Sequence, residues 1–374
     1  MCGGRWPPSD WVIPPAPAGP ASQRSTPPAA ARRKKTTEDG SPVGGPRRSV
    51  HFFARPAAHR LSLKTSKEIL RKILKVRQPV ADKNSGAATI RLLSMKTGSA
   101  IGGRTLNATD ENGPLVSVVL AVRNAGAVIG PCLTSLAGQT YRNMEVIVVD
   151  NASTDETCSI VRRDFPGVRL VQAGPERCAQ RNAGARLARG RYLFFPDADM
   201  VLALDVVEKC VRSGGDLVII PETTLGRGFW ARVRRYERDF YAGREGLEAG
   251  RFFSAQLFHR LGGYDENLFA AGEDWDLHRR AAQHTRPVRI DSVIAHDEGH
   301  VTLASYLRKK RYYAAFVKRY AKKWGSETCR QLGPQRLAVY LRQPRRILAR
   351  PLLFLAMVFM LTAALVTFKA TRPA

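Results

Sequence analysis

LVSVVLAVRNAGAVIGPCLTSLAGQTYRNMEVIVVDNASTDET, residues 115–157, is the stretch whose reading decides the fold. It holds two apolar, β-branched runs, LVSVVLAV (115–122) and MEVIVVD (144–150). Neither run alternates apolar with polar residues, so each reads as a strand buried on both faces of a parallel sheet. The first run ends at the turn Arg123-Asn124-Ala125-Gly126, and Val128, Cys132, Leu133 and Leu136 then fall at helical spacing over 127–138. The second ends in the turn-and-cap string Asn151-Ala152-Ser153-Thr154-Asp155, and a helix to about Phe165 follows until Pro166-Gly167 stops it.

The same alternation continues outward. VRLVQA (168–173) reads as a third strand, 176–189 as a helix, and RYLFF (191–195) as a fourth strand running into Pro196-Asp197-Ala198-Asp199. DLVIIP (216–221) reads as a fifth strand, and VRIDSVIA leads a further one into His296. Strands alternating with helices of this length predict an α/β fold with an open, mainly parallel sheet and helices on both faces. Ligands of such sheets bind at the carboxyl ends of the strands. Asp150-Asn151 and Asp197-Ala198-Asp199 both lie there.

Charge separates the chain into parts. The whole carries 60 Lys+Arg against 32 Asp+Glu, a net charge of +28. Residues 1–110 contribute +14, residues 111–300 only −1, and residues 301–374 contribute +15. A neutral middle argues against a nucleic-acid-binding face built into the folded core. Residues 1–113 are rich in Pro, Ala, Ser, Gly and basic residues and predict a disordered tail. Within it, 61–77 has the spacing of a short basic amphipathic helix, and Met95 is an alternative start. Residues 114–300 form the folded domain. Residues 301–350 hold 14 Lys/Arg and one acidic residue, with aromatics among them in YLRKKRYYAAFVKRYAKKW (306–324), which predicts helices at an anionic membrane surface. PLLFLAMVFMLTAALVTF (351–368) has no charge over 18 residues, about 27 Å of helix, and predicts a single transmembrane span. The positive-inside rule then puts the domain on the cytoplasmic face of the cell's inner membrane. The six cysteines form no CxxC pair, so neither a zinc knuckle nor a disulfide framework is indicated. The N-terminus has no apolar run of the signal-peptide kind.

Several residues can carry chemistry, each with a structural alternative. Asp197 and Asp199, two apart in a tight turn, suit a hard divalent cation, though Asp-x-Asp is also ordinary turn chemistry. Asp150 and Asn151 can recognise a base or ribose, while Ser153 or Thr154 can simply cap a helix. Glu273 and Asp274 open a helix at 273–283, where acidic residues favour the dipole; a carboxylate there can also act as a general base. Trp275 fits a sugar pocket or the core. His296 is a structural histidine or a third metal ligand. Arg181 is a bidentate partner for phosphate or a member of a surface ion pair.

Taken in order, SVVLAVRN…SLAGQTYRNMEVIVVDNASTDET…QRNAGARLARGRYLFFPDADM…LGGYDENLFAAGEDWDL resembles the inverting family 2 glycosyltransferases of GT-A fold, over roughly residues 114–300. The resemblance implies a nucleotide-sugar donor and a divalent cation, Mn²⁺ or Mg²⁺. It implies donor contacts from Asp150, Asn151, Arg181 and Asp197, with Val122 and Asn124 at the first strand end. The metal would fall to Asp199 first, then Asp197, with His296 as a third ligand. Asp274 would be the catalytic base and Glu273 its neighbour. Two departures stand out: many members have Asp at the position of Asn151, and Tyr-Asn where this chain has Arg123-Asn124. The membrane-side segment then implies a glycolipid or cell-envelope polysaccharide acceptor, and no nucleic acid. The rival readings are a basic nucleic-acid factor, a membrane scaffold with a silent GT-A domain, and a nucleotidyltransferase.

Overall fold

The computed structural model describes residues 113–370, apart from 245 and 270. The predicted tail, the 61–77 helix and Met95 lie outside the described residues. Strand β1 (Val116–Val122) runs parallel to β2 (Met144–Asp150), with Val116 opposite Met144 and Val122 opposite Asp150. Both faces of the pair are covered. Val118, Leu120, Val146 and Val148 pack with helix α1 (Gly126–Ala137), while Val119, Ile147 and Val149 pack on the other side beneath α3 (Arg177–Leu187). This double burial is why the runs are apolar without alternation; each fully buried aliphatic side chain contributes about 1.5–3 kcal/mol. Gly184 lets α3 come so close to the sheet that a Cβ there would lie 2.3 Å from Val119 Cγ1.

Helix α2 (Thr157–Asp164) and strand β3 (Arg169–Gln172) follow, then α3, β4 (Tyr192–Phe194), β5 (Met200–Leu202), α4 (Val206–Arg212), β6 (Leu217–Ile219) and β7 (Glu222–Arg227). Next come α5 (Phe229–Tyr241), β8 (Phe252–Ser254), α6 (Ala255–Arg260), α7 (Glu273–Ala282), β9 (Val288–Arg289) and β10 (Ile294–His300). The main sheet has seven strands in the order β3-β2-β1-β4-β8-β6-β9. It is mixed, because β8 runs antiparallel to both β4 and β6. A second sheet has the order β5-β10-β7. The sequence reading of 288–295 as one strand is divided in the structure: β9 joins the main sheet and β10 the small one.

The C-terminal part is helical: α8 (Leu303–Trp324), α9 (Ser326–Leu332), α10 (Pro334–Leu341), α11 (Pro344–Ala349) and α12 (Pro351–Ala370). A capping box between Thr302 and Ser305 starts α8. This helix is docked on the domain. Lys323 Nζ lies 2.6 Å from Asp265 and 2.7 Å from Asp276, and Trp324 Nε1 donates to Asp276 Oδ1 at 2.9 Å. Helix α12 packs against α5 and α8, burying Met357 and Met360. Its other sides are bare, with Leu352 79% exposed and Leu355 and Val366 each 64%. It is long and apolar enough to cross a membrane.

Candidate active site

The carboxyl ends of β1 and β2 carry two loops that are bonded to each other. Asn124 N donates to Ser153 Oγ at 2.8 Å, Thr154 N to Asn124 Oδ1 at 2.8 Å, and Gly126 N to Asp155 Oδ2 at 2.9 Å. Asn124 and Ala152 take left-handed backbone conformations, φ 50° and 48°. Asp150 is fully buried, and its carboxylate accepts from Ser153 N at 3.0 Å and Ser153 Oγ at 2.5 Å. It shapes its own turn. Asn151 stays at the strand end, its Nδ2 donating to Pro175 O at 2.5 Å. The Val122 side chain belongs to the core, and its carbonyl accepts from the buried Gln180 amide at 2.9 Å. Of these four, Asn124 and Asn151 are the ones left at the mouth of the sheet.

Arg181 joins the remaining motifs. It comes from the inner face of α3, and its side chain is 2% exposed. Its Nη2 donates to Asp197 Oδ1 at 2.7 Å, and its Nη1 to Asp274 Oδ1 at 3.0 Å and Glu273 Oε1 at 3.4 Å. The Tyr264 ring lies beneath the guanidinium, 5.0 Å from its carbon. The surface ion pair considered for Arg181 is thus replaced by a buried one, and the guanidinium faces carboxylates.

A second arginine, which no motif announces, completes the arrangement. Arg251, at the entry to β8, places Nη2 3.2 Å from Asp197 Oδ2, Nε 2.5 Å from Glu222 Oε1 and Nη1 3.8 Å from Asp274 Oδ2. Glu222, at the start of β7, also takes Arg238 at 3.0 Å. Glu222, Arg238 and Arg251 were not singled out from sequence. Their signal lies only in long-range pairing, although the buried Phe252-Phe253 marks where Arg251 enters the sheet.

These neighbours set the charge states. Burial opposes ionisation of Asp197, but Arg251 and Arg181 outweigh it and hold its carboxyl well below the usual range. Burial, with Asp274 next to it, pushes the Glu273 carboxyl up. Burial opposes protonation of His296, yet Asp199 and Glu222 prevail and push it up to about 9.

The expected metal set is split. Asp197 turns both oxygens to arginines, Oδ1 to Arg181 and Oδ2 to Arg251. Asp199 and His296 do meet, Oδ2 to Nε2 at 2.9 Å, because β10 pairs with β5 so that His296 stands opposite Met200. Among the described residues no group of three or more His, Cys, Asp or Glu side chains forms a metal cage. One carboxylate and one imidazole, once the imidazole has shed its proton, are a donor set that Mn²⁺ or Mg²⁺ could take with diphosphate oxygens; His296 Nδ1 is buried, 3.8 Å from Glu222 Oε2.

Asp197, Glu273, Asp274 and Trp275 line a cavity of about 860 Å³. Its further wall comes from α8, α10 and α12, including Lys310, Arg336, Leu361 and Leu365. Trp275 thus stands at the cavity wall.

Residues 117–250 match the model of the glycosyl transferase family 2. The chondroitin synthase of Escherichia coli is 34% identical over 192 residues, 47% of this chain and 28% of that protein. The UDP-Glc:alpha-D-GlcNAc-diphosphoundecaprenol beta-1,3-glucosyltransferase WfaP of Escherichia coli is 34% identical over 89 residues, 23% of this chain and 35% of that protein. The chain thus spans about a third of the length of these curated relatives. Among solved structures, the mannosyltransferase PcManGT of Pyrobaculum calidifontis superposes with a TM-score of 0.47 at 20% identity, covering 70% of this chain and 88% of that one. The matched segment contains both strand-end loops, Arg181, Asp197 and Asp199, and Asp274 lies beyond it, tied back by Arg181. The likeness to the glycosyl transferase family 2 thus lies in residues 117–250, which match its model.

Proposed function

We propose that this chain transfers a sugar from a nucleotide-sugar donor to a hydroxyl of a membrane-associated acceptor, with inversion at the anomeric carbon. The observation that carries the reading is the Arg181 bridge. One buried guanidinium bonds both Asp197 of the Asp-x-Asp turn and Asp274 of the Glu-Asp helix start, so residues far apart in sequence share one site. The donor lies across the strand ends beside Asn124 and Asn151. Asp199 and His296 would hold a divalent cation, which when bound offsets charge on the departing diphosphate. Asp274 faces the cavity and accepts the proton of the acceptor hydroxyl. The hydroxyl oxygen forms the new bond to the anomeric carbon as the bond to the nucleotide breaks, through an oxocarbenium-like transition state. Arg181 keeps Asp274 oriented. The relatives support the acceptor class, since WfaP by its name acts on a diphosphoundecaprenol-linked sugar.

Helix α12 attaches the protein to the membrane as a single span, with the basic segment keeping the domain cytoplasmic. One observation favours a second reading: Leu361, Leu365 and Phe368, from the C-terminal half of α12, wall the same cavity as Asp274. That contact suits a helix lying in the membrane plane beside the domain. The basic residues of α8 engage the domain in part, Lys323 through two carboxylates and Arg319 over the Phe269 ring at 4.2 Å, which counts against a nucleic-acid role.

The test offers membranes containing the full chain a panel of labelled nucleotide-sugars with Mn²⁺ or Mg²⁺. Label entering the lipid extract supports the reading. Asp274→Asn is expected to lower transfer ~10²–10⁴-fold while nucleotide binding survives. A variant that transfers at near the wild-type rate would remove Asp274 from the role of base.

A further inference from the structure

The cavity contains a polar cluster that sugar transfer does not use. Lys310 of α8 and Arg336 of α10 both line it, and among the described residues neither pairs with a carboxylate. The nearby carboxylates are committed elsewhere: Glu237 and Glu298 both bind Arg234, at 2.5 Å and 3.2 Å, and Glu222 binds Arg238 and Arg251. Lys310 Nζ lies over the Tyr306 ring at 5.3 Å, and the Arg336 guanidinium over Tyr241 at 5.1 Å and Trp275 at 6.0 Å. The aromatic faces hold the two cations without neutralising them. Tyr306 is 4% exposed, lines the same cavity, and its hydroxyl has no hydrogen-bond partner; Arg336 Nε is likewise buried and unbonded. Buried donors without acceptors are rare in folded proteins, and these two, beside a lysine that meets no carboxylate, point to an acceptor-rich anion. Beside them the wall becomes apolar, through Leu361, Leu365 and Phe368 of α12.

We propose that this cavity binds the phosphate or diphosphate of an amphiphilic acceptor, with Lys310, Arg336 and the Tyr306 hydroxyl on its oxygens and its apolar chain along Leu361, Leu365 and Phe368. The assignment rests on the transferase reading for the word acceptor, but the binding itself does not require it. Burial and the neighbouring Arg234 hold the Lys310 ammonium down to about 7. An arriving phosphate opposes both effects and favours the charged lysine. An anion on an apolar chain is the one ligand that satisfies the cations and the α12 wall together. The volume suits it, since small-molecule sites span roughly 300–1,000 Å³.

The experiment uses the full chain in phosphatidylcholine nanodiscs and measures binding of farnesyl phosphate, farnesol and inorganic phosphate. Farnesyl phosphate is expected to bind at least tenfold more tightly than either farnesol or phosphate. Lys310→Gln, Arg336→Gln and Tyr306→Phe should each weaken it, the two charge removals about tenfold. UDP and GDP binding should stay within twofold of wild type, which also reports that the variants are folded, and Arg336→Lys should recover part of the loss. Equal binding of farnesol and farnesyl phosphate, or unchanged binding by the charge variants, would overturn the proposal. So would phosphate binding as tightly as farnesyl phosphate, or equal competition from phosphatidylglycerol, which would assign the cluster to bulk lipid. If the wild type neither hydrolyses nor transfers from any nucleotide-sugar while farnesyl phosphate binding remains charge-dependent, the transferase reading fails and the phosphate site stands.

Discussion

A guanidinium as buried as Arg181 must meet carboxylates, since an unpaired charge in that position would cost several kcal/mol. Asp197, Glu273 and Asp274 supply them, and the same contacts hold these carboxylates in place. Sequence showed each of these residues as a candidate but not their mutual arrangement, because a pair such as Arg181 and Asp274 leaves no local pattern. His278 illustrates the converse, a histidine with a purely structural place. Its Nδ1 accepts from Gly250 N at 3.1 Å, and burial, then Arg279, pushes it down to about 4. The folded state therefore resists protonation that the unfolded chain accepts below about 6.5. Its contribution is intact above pH 6.5 and declines as pH falls from 6.5 towards 4, by about 3 kcal/mol in full. Thermal melts of wild type and His278→Asn from pH 7.5 to 4.5 check this. The wild type should lose stability faster, and the two curves should run parallel above pH 6.5.

At the level of elements, α7 is placed by the residue just before it. Gly272 has φ +88°, and a Cβ there would lie 2.6 Å from the Tyr320 ring of α8. Backbone conformation and contact both demand glycine. Gly272→Ala is expected to destabilise the fold by roughly 1–3 kcal/mol and to reduce transfer, because Asp274 lies in the first turn of the displaced helix. Adding Tyr320→Leu should restore only the part due to crowding; full recovery of the melting temperature would show that φ contributes nothing. The legible elements were β1 to β4 with the helices between them, and further on β6 and α7, each announced by an apolar run, helical spacing or an acidic helix start. Strands β5 and β8 escaped, since three residues, Met200–Leu202 and Phe252–Ser254, show no period. Strand β7, Glu222–Arg227, is polar along much of its length and draws its place from pairing with β10. Of the residues that sequence missed at the site, Glu222 and Arg251 sit on or beside these unread strands, and Arg238 sits on α5, which shows no announced pattern either.

For the whole molecule, the charge count starts the basic collar at residue 301, and α8, from Leu303, is both collar and part of the domain. The placement of α12 decides how that body meets the bilayer. A cysteine introduced at Arg372, tested with a membrane-impermeant maleimide on sealed vesicles of either orientation, separates the readings. A crossing helix exposes that position only on the face opposite the domain. A helix in the membrane plane exposes it on the same face, which is the outcome the shared cavity wall favours.

The guanidinium shared by Asp197 and Asp274 also has a kinetic consequence. On the proposed reading, a donor diphosphate that draws Arg181 toward itself would loosen its hold on Asp274 and free the proposed base once the donor is in place. Binding of the two substrates is then energetically linked, and linkage is reciprocal: each must change the other's affinity by the same factor. Steady-state kinetics should show an ordered sequence with donor first, and Arg181→Lys should bring that order toward random.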